Sequence, residues 1–413
     1  MQIYLVGGAV RDQLLEYPVK ERDWVVVGGT VEEMLKLGYQ QVGKDFPVFL
    51  HPKTKDEHAL ARTERNIALG YKGFEVHASP DVTLEEDLIR RDLTINAIAE
   101  DEEGNLYDPY NGQQDIKQKI LRHVSPAFSE DPVRVLRVAR FAARYAHLGF
   151  SVAEETNELM CSMVESGEVD SLVAERVWQE FHKALGERNP EVFIEVLKNC
   201  GALKVILPEI DALFGVPQPI EHHPEIDTGI HTLMVLQQAS LLSKEPITRF
   251  AALCHDLGKA LTPKEKWPSH HGHEAGGIKP IRQLCKRLRI PKNFQELACI
   301  TAEFHLHVHR AFEIKNSTLL RTIEKLDGLR KPERFEQFLI ACIADSRGRT
   351  GYENNDYPQA DRYREALEII KDIDIQPFKE AGLQGKAMAE AIHTARQSAL
   401  DKHLPIIENT DNS

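Results

Sequence analysis

Ile3-Tyr4-Leu5-Val6-Gly7-Gly8-Ala9-Val10-Arg11-Asp12, followed shortly by Glu21-Arg22-Asp23-Trp24-Val25-Val26-Val27, is the stretch from which the fold of this chain is read. Ile3 to Val6 and Trp24 to Val27 are short β-branched or aromatic runs, and each predicts a strand. Gly7-Gly8 between the first strand and a helix start supplies backbone that can approach a phosphate with no Cβ in the way. Amides of such a turn, opening into a helix, attract an anion. Glu21 and Asp23 stand two apart on an extended segment, so both carboxylates leave the same face and can grip a metal together. A phosphate cradle beside paired acids is a site for phosphoryl or nucleotidyl transfer.

Working outward, 413 residues suffice for two to four domains with proper cores. A 42% hydrophobic and 28% charged composition is that of an ordinary globular protein. No apolar run approaches the ~18 residues of a membrane span, and ordered structure is expected almost from Met1. A cytoplasmic chain with no membrane partner follows as the expectation. The six cysteines are scattered without a Cys-x-x-Cys pair, which argues against a disulfide framework and a thiolate zinc site. A net charge of −13 would disfavour nucleic acid, but Arg134 to Arg144, Lys279 to Lys292 and Arg310 to Arg334 are locally basic, so charge leaves that question open.

Gly7-Gly8-x-x-Arg11-Asp12 with Glu21-x-Asp23 resembles the signature of the DNA polymerase β-type nucleotidyltransferases, in the branch of bacterial CCA-adding enzymes and poly(A) polymerases. That family carries Asp-x-Asp, and Glu21 departs from it. The extra methylene moves the carboxylate by about 1.5 Å, so an altered rate is expected more than a dead site. Arg90-Arg91-Asp92-Leu93-Thr94-Ile95-Asn96-Ala97 matches a second family motif without a mismatch. The resemblance assigns Gly8, Arg11 and Arg91 to the nucleotide, and Asp92 to a ribose 2′-hydroxyl.

The segments between read simply. Thr30 to Gly38 is a capped short helix, Val42 to His51 and His58 to Thr63 are strands, and Arg65 to His77 is a mobile loop. Asp108-Pro109-Tyr110-Asn111-Gly112 is a turn. Beyond Leu121 the pattern becomes helical. Arg134, Arg137, Arg140 and Arg144 fall on one face of a helix capped by Asp131 and Pro132, with Val135, Val138 and Ala142 on another. This is either an amphipathic helix with a solvated arginine face or a reader of nucleotide.

Cytosine and adenine present an amino donor beside a ring-nitrogen acceptor, whereas uracil and guanine present a carbonyl beside an N–H. A carboxylate next to a guanidinium therefore matches C and A, and a mismatch can be rejected by as much as roughly 10⁴-fold. Glu130-Asp131-x-x-Arg134 resembles the family element with this role, which implies that Asp131 and Arg134 read the base while Arg137 and Arg140 hold the triphosphate. Ala174 to Glu180 resembles the last motif, a structural support for that helix.

Three prolines within Val216 to Pro224 mark a linker. Histidine then becomes frequent: His231 in an apolar helix, the adjacent pair His255-Asp256 with Lys259, and later His273, His305 and Asp345. This set resembles the HD phosphohydrolase superfamily, which implies His231, His255, Asp256 and Asp345 as metal ligands acting on a phosphoester. His270-His271-Gly272-His273 is either a surface run or a second-metal position.

The fold expected is α+β: a nucleotidyltransferase head (1–122), a helical neck and body with the templating helix (123–215), a Pro-rich linker (216–227), an HD domain (228–350) and a helical tail (351–413). The chain is similar to bacterial class II CCA-adding enzymes (tRNA nucleotidyltransferases) carrying an HD domain. That similarity implies CTP, ATP and tRNA as partners, Mg²⁺ at Glu21 and Asp23, a divalent transition metal such as Ni²⁺ at the HD site, hydrolysis of 2′,3′-cyclic phosphates at RNA ends, and a monomer or homodimer. The rivals are a poly(A) polymerase, disfavoured by the acidic tail Ile406 to Ser413, and a tRNA-binding protein that has lost chemistry through Glu21.

Overall fold

The computed structural model describes residues 1–19, 21–42, 48–66 and 74–405, with 64–66 and 74–76 as backbone only. The acidic tail Ile406 to Ser413 lies outside the described residues. So do 43–47 of the Val42–His51 segment and 67–73 of the loop. The chain divides into two compact units, Met1–Ile206 and Leu207–Ser413.

The first unit is built on a mixed sheet. Its strands are β1 (Gln2–Val6), β2 (Asp23–Val27), β3 (Gln40–Gln41), β4 (Val48–Leu50), β5 (Glu57–Leu60), β6 (Arg62–Asn66), β7 (Phe74–Ala78), β8 (Ala99–Glu100) and β9 (Leu106–Tyr107). Among the described residues the large sheet runs β3-β4-β5-β2-β1-β8-β9. β1 pairs antiparallel with β2, Val6 opposite Asp23, and β2 pairs parallel with β5, Asp23 beside Glu57. That register brings the Gly-Gly turn and the acids to one end of neighbouring strands.

One face of the sheet buries Tyr4, Val6, Val25, Leu88 and Ala99, and smaller clusters form around Val10 with Ile98 and around Met34 with Phe49. Burying such a side chain stabilises by about 1.5–3 kcal/mol. The helix Val31–Lys36 begins at Thr30 in a capping box with Glu33, as its sequence predicts. Arg65 to His77 departs from expectation, because β6 and β7 pair antiparallel from Arg62↔Ala78 to Asn66↔Phe74. A ladder held by backbone leaves no hydrophobic period in the sequence to announce it.

Past Leu121 the unit is helical apart from a two-residue parallel pairing of β10 (Ile120–Leu121) with β11 (Ser151–Val152). The helix Val133–Tyr145 packs against Ala174–Leu185 and Pro190–Asn199. Its first turn is held by Asp131, whose side chain accepts from the Val133 amide at 3.1 Å.

The second unit is all-helical among the described residues. One core runs from Val235 and Ala251 through Leu297, Leu319, Phe335 and Phe338 to Tyr363, Ile370 and Leu400. The Pro-rich segment before it is bonded to itself and to the helix that follows. The Gln218 amide donates to the Ile226 carbonyl at 2.7 Å, Thr228 bonds Val216, and Asp227 caps the helix Thr228–Leu242 through the Ile230 amide. Three prolines lower the entropy lost on ordering such a clasp, so proline marks stiffness here.

Candidate active sites

At the end of β1 and β2, Gly7 takes a left-handed φ of 69°, which favours glycine. A Cβ there would also lie 2.7 Å from a guanidinium nitrogen of Arg91. Asp23, exposed at the start of β2, has its carboxyl pKa raised by partial burial and by Glu21, against the lowering pull of Arg91. Glu21 is exposed just before the strand. Glu21, Asp23, Arg91 and the Gly7-Gly8 turn therefore share one location. An acid whose protonation a neighbouring acid favours is poised to share a cation with it. Glu57 is the register neighbour of Asp23 on β5, a position that only strand order could have revealed.

Behind this mouth lies a buried polar chain. Arg11 donates to Asp12 at 2.9 Å and to the side-chain carbonyl of Asn96 at 2.5 Å. The Asn96 amide donates to Asp92 Oδ1 at 2.8 Å, and Arg137 Nε donates to Asp92 Oδ2 at 2.7 Å. Burial would raise the Asp92 pKa, but Arg137 and Asn96 outweigh it and hold the carboxylate well below its usual range. Asp12 also accepts from Arg144 and from the Tyr145 hydroxyl. The arginine helix and the Gly-Gly turn are thus cross-linked in one network.

Two of the four arginines on that face, Arg134 and Arg140, are buried. Arg134 donates to the carbonyls of Ala127 and Arg90 at 2.7 and 2.6 Å, and Arg140 Nε donates to buried Glu180 at 2.6 Å. Arg176 forks onto both oxygens of Asp131 at 3.0 and 2.8 Å. Glu180 and Arg176 belong to the Ala174–Leu185 helix, which accordingly supports its neighbour, as its motif suggested. Arg11, Asp92, Arg134 and Arg140, read from the sequence as nucleotide contacts, all sit at less than a tenth exposed with protein partners. Arg137, Asp131 and Arg91 remain partly exposed.

The second unit gathers a different cluster. His255 Nε2 lies 3.0 Å from Asp256 Oδ2 and 3.5 Å from Asp345 Oδ1, and His231 Nε2 lies 3.1 Å from Asp345 Oδ1. His273 Nε2 and His305 Nε2 approach Asp256 Oδ1 at 3.2 and 3.9 Å. Four helices and the His255–Lys259 turn supply these residues. Gly258 is obligatory in that turn, since a Cβ would collide with the His273 carbonyl.

The other ring nitrogens are oriented from behind: His231 Nδ1 by the Gly348 carbonyl and Glu225, His255 Nδ1 by Ala252, His273 Nδ1 by His270. Lys259 bonds Asp256 at 2.6 Å, and His309 bonds Asp345 at 2.6 Å while accepting from or donating to the Tyr357 hydroxyl.

A metal fits this donor set. His255 Nε2, His273 Nε2 and Asp256 Oδ1 are buried with no hydrogen-bond partner, an arrangement a protein retains for an ion. Burial would lower the His255 pKa, but Asp256 and Asp345 push it up to about 10, whereas burial takes His305 down to about 3. The sequence-read set His231, His255, Asp256 and Asp345 comes together as expected. Three donor trios are available among the described residues: His231 with His255 and Asp345, Asp256 with His273 and His305, and, beside them, His223 with Glu225 and His231. His273 is thus buried in the cluster, while His271 is exposed.

The Poly A polymerase head domain family matches residues 3–122, the probable RNA and SrmB-binding site of polymerase A matches 149–214, and the HD domain matches 228–348. Solved structures of similar fold include the Thermotoga maritima CCA-adding enzyme complexed with tRNA (TM-score 0.66, 20% identity, 97% of this chain and 87% of that one). The Bacillus stearothermophilus CCA-adding enzyme in complex with CTP is another (TM-score 0.64, 21% identity, 98% and 90%). Whole-length relatives are closer in sequence. The Multifunctional CCA protein of Thioalkalivibrio sulfidiphilus is 62% identical over 97% of this chain and 98% of its own length, and that of Teredinibacter turnerae is 60% identical over 96% of each. With both halves and both acid-bearing sites in place, the chain belongs to the multifunctional CCA protein family.

Proposed function

We propose that this protein adds and repairs the 3′-terminal CCA of tRNA from CTP and ATP, releasing pyrophosphate, and that its second unit is a metal-dependent phosphohydrolase acting on 2′,3′-cyclic and terminal phosphates. The observation that carries the reading is the end-to-end likeness to relatives of that name, joined to acids beside a glycine turn in the first unit. It favours CCA addition over the poly(A) polymerase reading.

In the first unit, Glu21 and Asp23 would hold Mg²⁺, whose exposed, oxygen-only setting suits that ion. When bound, the ion supplies charge stabilisation at the α-phosphate and a more acidic primer 3′-hydroxyl. Arg91, beside Gly7, neutralises phosphate oxygens, and the Gly7-Gly8 backbone lets them approach. Arg137 reaches the nucleotide from its tether on Asp92. Asp131, held by Arg176, offers its carboxylate to the amino group of C or A, with Arg134 completing the donor–acceptor match. Arg11, Asp92 and Arg140 act by fixing that helix against the turn.

In the second unit, the donors around Asp256 would hold one or two divalent ions, with Ni²⁺ suited to the imidazole-rich set. Such an ion supplies Lewis acidity toward the phosphoester and toward water. The residues bind, orient and enclose. No helix among the described residues is long and apolar enough to cross a membrane, consistent with a cytoplasmic tRNA enzyme.

Purified protein given tRNA lacking its CCA end and each nucleotide triphosphate in turn should incorporate C, C and then A. Long A tracts from ATP alone would overturn this reading in favour of the polymerase.

A further inference from the structure

The His-Asp cluster forms the floor of a cavity of about 200 Å³ whose rim includes Pro219, His222, Ser269 and Arg349. The cavity carries carboxylates at Asp256 and Asp345, so an entering phosphate meets its own charge sign and needs cations beyond the metal. Among the described residues lining it, Lys259 and Arg349 are the two side chains of fixed positive charge. Lys259 is committed, bonded to Asp256 at 2.6 Å and to Gln218 at 2.5 Å. Arg349 is different: its Nε is buried and has no hydrogen-bond partner among the described residues.

Arg349 is placed rigidly. It follows Gly348, whose carbonyl orients His231, and stands four residues after Asp345. The neighbouring Thr350 amide is directed at Glu225. Arg349 lies close enough to His223 and Tyr357 to act on both electrostatically. Arg347, by contrast, is spent on the Asn355 carbonyl. A guanidinium donor kept buried without a partner is costly, and a planar fork suits two oxygens of one phosphate.

We propose that Arg349 is the substrate-anchoring residue of this cavity, binding non-bridging phosphate oxygens of a ribose-borne phosphoester opposite the metal ligands. The inference rests on the hydrolytic reading of the second unit. Recognition at this cavity falls on the phosphate.

The test uses the full chain saturated with Ni²⁺, adenosine 2′-monophosphate as substrate and inorganic phosphate as competing ligand. Arg349→Gln should raise both the KM and the phosphate dissociation constant by about ten- to a hundredfold, with kcat changed far less and the Ni²⁺ affinity measured by calorimetry unchanged. Arg349→Lys should recover part of the loss, because it restores charge without the fork. Unchanged KM and phosphate binding in Arg349→Gln would overturn the proposal. So would a joint fall of Ni²⁺ affinity and melting temperature, which would make Arg349 a structural support. If the parent chain hydrolyses nothing with any divalent ion, the hydrolytic reading fails by itself. Calorimetric phosphate binding to the Ni²⁺-loaded parent and variant then still decides the role of Arg349.

Discussion

The two sites invert one another. In the first unit the acids that would hold metal are exposed at strand ends, and the buried part is the scaffold behind them, from Asp12 through Asn96 to Arg137. In the second unit the ligands themselves are buried, His231 and His255 at 0% and 1% exposure, and Ala252 and His270, which orient the rings, are buried with them. A site that must admit a growing RNA end keeps its metal pair in solvent and spends burial on aiming it. A site that handles a small phosphoester can afford to enclose its ligands, and orphaned atoms there are stabilised when an ion arrives.

That contrast breaks if chemistry and stability fail together in the first unit. Asp23→Ala should lower nucleotide addition by about 10³-fold or more, the value of a lost transition-state charge contact. Its unfolding free energy should stay within about 0.5 kcal/mol of the parent, because the side chain is exposed. Denaturant titration beside a CTP-incorporation assay measures both, and a large stability loss would refute the inversion.

In the second unit chemistry and metal binding should fail together. His255→Ala should abolish phosphoester hydrolysis and weaken Ni²⁺ binding more than about 100-fold, while CTP incorporation stays near that of the parent. Loss of both activities in one variant would contradict independent sites.

The buried scaffold offers a sharper test. Asp92→Asn should cost about 2 kcal/mol, discounted for the partial exposure of Arg137. Because the folded pKa of Asp92 lies below its unfolded value, the stability it contributes is present above the ordinary carboxylate range and is lost as pH falls through the folded pKa. The Asn variant should therefore show a shallower loss of stability below about pH 4.

Smaller effects concern aim and reach. Arg176→Ala frees the Asp131 carboxylate and should reduce discrimination of CTP over UTP by about tenfold, read by single-nucleotide competition. Glu21→Asp should change the addition rate by less than about tenfold, since it shortens one exposed side chain.

Much of this was legible in the chain itself. The strand–glycine turn–helix at Val6 to Asp12, the Thr30 cap and the Asp131 start of the arginine helix are local, and local chemistry writes itself into neighbouring residues. His231, His255, Asp256 and Asp345 were legible only through family resemblance, since more than a hundred positions separate the first from the last. The β6–β7 pairing was misread, because a backbone ladder leaves no hydrophobic period, and nothing in 216–227 but its prolines announces the bonds made there.

By itself the sequence determined which residue types are present for each chemistry and the secondary structure that carries them, since periodicity, capping and glycine placement act over a few residues. Only the tertiary structure decided that Arg140 pairs with buried Glu180, that Glu57 stands beside Asp23 and that Arg349 lines the His-Asp cavity. Those are choices of partner, and a side chain meets its partner through packing between segments far apart along the chain.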